Sequence, residues 1–148
     1  MYTNIDNSDG LKTVSHFFQS HPDPKRPDSL LLQLLEVSLK NNDFLFNGEF
    51  WLQVSGTAMG KVFAPSYANL FMAKIEEDFF NELGSRPPFY VRFLDDIFFL
   101  WNDTRESLDE FLHALGSYHK SIKLTHNIGQ EQVDFLDLTI RNTQGSNT

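Results

Sequence analysis

Apolar residues recur along the chain at two spacings, and the alternation between them divides it into elements. Leu11, Val14, Phe17 and Phe18 repeat at helical spacing. Residues 1–18 therefore read as the end of a strand leading into a short helix, with Asp6, Ser8 or Asp9 as candidate caps. Pro22, Pro24 and Pro27 fix backbone angles and remove donors, which makes 19–27 a loop. Leu31, Leu34, Leu35 and Leu39 predict a second helix capped by Asp28 or Ser29 and ending near Asn41 and Asn42. Leu30, Leu32 and Val37 widen its apolar face, so burial is expected.

Strand-like runs follow. Phe44-Leu45-Phe46 and Glu49-Phe50-Trp51-Leu52-Gln53 flank Asn47-Gly48, a pair that accepts the positive backbone angles of a tight hairpin turn. After a loop with Gly56 and Gly60, Pro65 suits the first turn of a helix carrying Tyr67, Leu70, Phe71, Ile75 and Phe79, which Gly84 ends. Residues 89–94 and 97–101 read as two strands meeting at Asp95-Asp96. Asp103 with Glu106 resembles a capping box, and Leu108, Phe111, Leu112 and Leu115 give the next helix one apolar face, up to Gly116. Residues 121–125 and 133–140 predict a last antiparallel pair around a turn at Gly129, and the polar tail frays. The order of elements predicts an α+β fold in which an antiparallel sheet of hairpins packs on helices.

Composition narrows the function. At 148 residues, 41% of them hydrophobic, the chain builds one core, so a single domain or less is expected. Without cysteine there is neither a disulfide framework nor a thiolate metal site, and a reducing intracellular compartment is the default. The apolar run around 89–101 is interrupted by Arg92, Asp95 and Asp96, so no membrane span is expected. Twenty acidic against twelve scattered basic residues, a net charge of -8, leave no basic stripe for a phosphate backbone. The five histidines show no metal spacing and read as structural.

The sharpest chemical feature is Asp95-Asp96, two carboxylates inside an otherwise apolar stretch, where unpaired burial would be very costly. Two adjacent aspartates at a strand turn can present oxygen ligands to Mg²⁺ for nucleotidyl transfer. They are equally what a solvated hairpin tip carries.

The surrounding residues add a resemblance. Tyr90-Val91-Arg92-Phe93-Leu94-Asp95-Asp96-Ile97-Phe98 resembles the aromatic-x-Asp-Asp core of reverse transcriptases, with Phe93 in place of the usual tyrosine. The Arg-Phe-Leu-Asp-Asp form, with Ile97 and Trp101 after it, is similar to Penelope-like retroelements in particular. Gln53-Val54-Ser55-Gly56-Thr57-Ala58-Met59-Gly60, leading into Ala64-Pro65-Ser66-Tyr67-Ala68-Asn69-Leu70-Phe71-Met72, resembles the motif next upstream in that family. Phe135-Leu136-Asp137-Leu138 resembles the primer grip, and Tyr2-Thr3-Asn4-Ile5 the tail of the first catalytic motif.

The resemblance implies a palm-like fold over residues 1–142, with 143–148 a tail. It implies RNA-directed DNA polymerase activity, with primer-template and deoxynucleotide as partners and Mg²⁺ as cofactor. Asp95 and Asp96 would be the catalytic metal ligands, Tyr2 the sugar gate, and Gln53, Gly56, Met59 and Gly60 would shape the nucleotide and template site. It also places Lys120 or Lys123 where a family lysine protonates pyrophosphate, although both also read as solvated surface lysines. By its register the first motif's aspartate falls upstream of Met1, leaving two of three carboxylates, with Asp6 and Asp9 as the nearest substitutes. As an isolated chain this predicts incomplete catalysis, with self-association or marginal stability. The alternative is a retroelement-derived remnant acting as a protein-interaction module.

Overall fold

A computed structural model of the chain describes residues 2–58 and 60–143, with Tyr2 by its backbone alone. Helix α1 (Asn7–Ser20) starts where the Asp6 side chain accepts hydrogen bonds from the Ser8 and Asp9 amides. Before it lies a single 3-10 turn (Tyr2–Asn4), not the end of a strand. Ile5, fully buried, anchors that turn in the core.

Helix α2 (Asp28–Lys40) departs from expectation twice. Pro27 stands at its N-cap without a side-chain bond, and Asp28 lies in the first turn, gripped by Arg26 at 2.5 Å. Leu39 is its buried residue, while Leu30, Leu34 and Val37 are more than half exposed. The apolar face is real, but α2 packs beside α1 and meets the core through Leu39, with Leu32 and Leu35 partly buried against it.

Helix α3 (Ala64–Leu83) is the spine of the fold, with Pro65 in its first turn and Gly84, in the left-handed region at φ 69°, closing it. Its Tyr67, Ala68, Phe71, Met72 and Ile75 form one core with Ile5, Val14, Leu39 and Ile122. α1 approaches so closely that a Cβ on Gly10 would lie 1.7 Å from the Tyr67 hydroxyl. Phe79 starts a second, aromatic core with Phe111 and Leu115 of α4 (Arg105–Ser117). The α4 cap is Thr104, whose hydroxyl accepts from the Ser107 amide, one residue beyond the expected Asp103.

Each pair of strands is a two-residue hairpin: β1 (Asp43–Phe46) with β2 (Glu49–Leu52), β3 (Phe89–Phe93) with β4 (Asp96–Leu100), and β5 (Gln132–Phe135) with β6 (Leu138–Arg141). The fold is α+β, but among the described residues the hairpins form three separate two-stranded sheets and not one. The last pair also differs from expectation. Its turn is Leu136-Asp137, and 121–131 has no strand. Ile122 and Leu124 alternate because they plug the helical core, which mimics a strand's period. Among the described residues no helix is long and apolar enough to cross a membrane.

Candidate functional site

Residues directly opposite each other in a hairpin share a face, so the β3–β4 register sorts its side chains. Tyr90, Arg92, Ile97 and Phe99 face the helices. The Tyr90 ring meets Phe80 of α3 at 5.1 Å and the Phe99 ring meets Phe111 of α4 at 5.3 Å. Phe93, Asp96 and Phe98 occupy the other face, where Phe98 lies 5.5 Å from Phe135 at the end of β5. The hairpin is thus clamped on one side by aromatic packing and touched on the other by the third hairpin.

Asp95 and Asp96 sit at its tip, both exposed. Among the described residues neither carboxylate takes part in an ion pair. The two-residue turn is Leu94-Asp95, and Leu94 has a positive φ of 55°. A β-carbon in that region costs roughly 1–2 kcal/mol, so the surroundings must hold the turn in place. Arg92 donates from Nε to Glu76 Oε1 (2.7 Å), and from Nη1 to Asn69 Oδ1 (2.9 Å) and the Leu94 carbonyl (2.8 Å). The Tyr90 hydroxyl donates to the same Glu76 oxygen at 2.8 Å. Burial first, then the Glu76 carboxylate, push the Tyr90 phenol far above its ordinary range. Neither Glu76 nor Asn69 was a candidate from sequence; both lie on α3 two turns apart, a spacing lost among its other polar residues.

The turn opens on a cleft of about 1660 Å³ that Asn4, Met72, Asp95, Asp96, Lys123, Phe135 and Leu136 help to line. The other turn there, Leu136-Asp137, repeats the string Phe-Leu-Asp, and Leu136 has φ 54°. The repeated string is the sequence signal that marks this turn.

The remaining candidates fall as follows. Gly56 is buried with φ 72°, and a Cβ there would meet the Thr3 carbonyl group at 2.5 Å. The glycine loop therefore lies directly on the Tyr2–Asn4 turn. Gln53 turns its amide onto the Ser55 carbonyl (2.9 Å) and donates its backbone N–H to Asn42 (2.8 Å), so it shapes the loop locally. Gly60 is exposed, with φ 97°. Gln53, Gly56 and Gly60 do not line the cleft. Met59, the Tyr2 side chain and residues 144–148 lie outside the described residues.

Asp6 accepts from the Ser8 and Asp9 amides at 2.9 and 3.2 Å, and the Asp9 bond, chief among these contacts, holds its carboxyl below the usual range. Asp9 faces Lys12 and Lys120, at 3.6 and 3.5 Å. Both are committed to the start of α1. Lys120, facing them, is drawn to that same end, whereas Lys123 is on the cleft. His21 stacks on Phe17 and His119 meets Phe71 edge-on.

Among the described residues no three His, Cys, Asp or Glu side chains converge as a metal site. Two exposed, adjacent carboxylates do fit a hard divalent cation that keeps most of its waters and shares the rest of its shell with substrate phosphates. The chain matches no protein-family model, no curated protein and no solved structure.

Proposed function

We propose that the chain is palm-like and belongs to the reverse transcriptase lineage, with Asp95 and Asp96 as carboxylate ligands for Mg²⁺ in nucleotidyl transfer. One observation carries the reading: the Asp-Asp tip opens on a cleft that is also lined by Asn4, at the end of the Tyr2–Asn4 turn, and by Phe135 and Leu136 of the second Phe-Leu-Asp hairpin. Three stretches far apart in sequence, each resembling a different reverse transcriptase motif, thus share one cavity. The glycine loop, the fourth, lies on the first of them through Gly56.

A divalent ion at such a site supplies charge stabilisation to the transferring phosphoryl group. The chain's own part is to hold two carboxylate oxygens at the tip and, through the backbone of Gly56, to support the Tyr2–Asn4 turn whose Asn4 lines the cleft. Asp6 and Asp9, engaged at α1, do not supply the third carboxylate of a two-metal site. Deoxynucleoside triphosphate with Mg²⁺ is the ligand to test. Its addition is expected to shift the amide resonances of Gly56 and of residues 95–97 together, and the Asp95→Asn, Asp96→Asn double variant to lose both responses. Shifts at neither place, or shifts that survive the double variant, would overturn the proposal.

A second reading, a protein-interaction module of retroelement origin, is favoured by β1–β2. All eight of its strand residues are exposed, including Phe44, Phe46, Phe50 and Trp51. Apolar surface of that kind, on a chain of net charge -8, suits a protein partner better than a phosphate backbone.

A further inference from the structure

An arginine three residues before a pair of metal-binding aspartates invites the reading that it meets substrate phosphate. The geometry points to the opposite role: we infer that Arg92 is a positioning residue, turned inward, that fixes the Asp95-Asp96 tip by tying the Leu94 carbonyl to α3. The inference rests on the cation-site reading for its consequence, but its structural half stands on separate observations.

The Arg92 side chain is only 10% exposed, and its charge is met by Glu76, whose side chain is 11% exposed. Its guanidinium donates to three partners: Glu76, Asn69 and the Leu94 carbonyl. A weaker fourth contact reaches the Asn69 carbonyl at 3.4 Å. Two of these partners belong to α3, the helix that follows the glycine loop, and the third is the residue whose left-handed backbone makes the tip. Glu76 is fixed in turn by the Tyr90 hydroxyl from the same strand as Arg92.

A planar fork makes these bonds together, whereas the compact ammonium of lysine cannot span them. With the Leu94 carbonyl released, nothing in the turn itself favours a leucine at φ 55°. The tip would relax and the two carboxylates would no longer be presented in one geometry.

The test uses the full 148-residue chain with three substitutions: Arg92→Lys, Asn69→Ala at an exposed position, and Asp95→Asn as a control that spares the network. Two quantities are read by NMR. One is the strong amide-to-Hα contact of Leu94 that marks a left-handed residue; the other is the Mg²⁺ affinity at residues 95–97. Arg92→Lys is expected to weaken the Leu94 contact and lower Mg²⁺ affinity about tenfold, as loss of a group that orients metal ligands does. Asn69→Ala is expected to move both in the same direction by less, and Asp95→Asn to lower affinity while leaving Leu94 unchanged. The Asn47-Gly48 turn serves as the internal reference and should not respond. A Leu94 signal unmoved in both Arg92→Lys and Asn69→Ala would overturn the inference, and Asn69→Ala decides it if Arg92→Lys does not fold. If the unsubstituted chain takes up no Mg²⁺ at residues 95–97, the cation-site reading fails, while the Leu94 signal still decides whether Arg92 sets the turn.

Discussion

Gly56 combines two constraints that a side chain cannot meet together. Its φ of 72° disfavours any β-carbon, and the space a methyl would take is filled by the Thr3 carbonyl group 2.5 Å away. Gly60 has an equally unusual φ of 97° but nothing within 4 Å of a Cβ. Gly60→Ala is therefore expected to cost about 1 kcal/mol in chemical denaturation, and Gly56→Ala roughly 2–3 kcal/mol because backbone must also move. Equal losses would mean that the loop does not lie on the Tyr2–Asn4 turn. Asp95-Asp96 could be picked out of the sequence because charge in an apolar run demands an explanation. The network of Arg92, Glu76 and Asn69 could not, because each is an ordinary polar residue until the fold brings it within 3 Å of another.

Elements were legible where local chemistry alone decides them. Asn47-Gly48 places the first turn, Gly84 and Pro65 bracket α3, and the two aromatic-rich apolar runs that meet at Asp95-Asp96 give both strands of the second hairpin. They were misread where a partner decides. The Leu-rich face of α2 predicts burial, but periodicity reports a face and not whether anything covers it. The strand expected at 121–125 is irregular chain whose Ile122 enters the helical core. For α4, Asp103 and Thr104 are both good caps by type, and only backbone geometry selects Thr104, with φ -66° and ψ 163°. Thr104→Ala should accordingly destabilise the chain by about 1 kcal/mol. Asp103→Ala should cost less, since Asp103 bonds only the adjacent Thr104 amide. Denaturation midpoints of the two variants check this, and the reverse order would restore Asp103 as the cap.

Over the whole molecule, the exposed area is 10688 Å², against roughly 7,800 Å² for a compact 17.1 kDa monomer by the usual scaling. Large apolar side chains contribute to that surface, with Phe46 at 66% and Phe50 at 79% exposure on opposite faces of β1–β2. Three two-stranded sheets also present unpaired edges. The chain is expected to self-associate as concentration rises in sedimentation velocity. Phe46→Lys with Phe50→Lys should return it toward monomer while changing stability by less than about 1 kcal/mol, as surface changes do. An unsubstituted chain that stays monomeric throughout would contradict this. Whether the Asp95-Asp96 tip that this scaffold carries holds a divalent cation is read by Mg²⁺ titration followed by NMR. Saturable shifts confined to residues 94–97 and lost in the Asp95→Asn, Asp96→Asn double variant are expected; shifts spread over all acidic surfaces, identical in that variant, would mean that the tip holds no cation site.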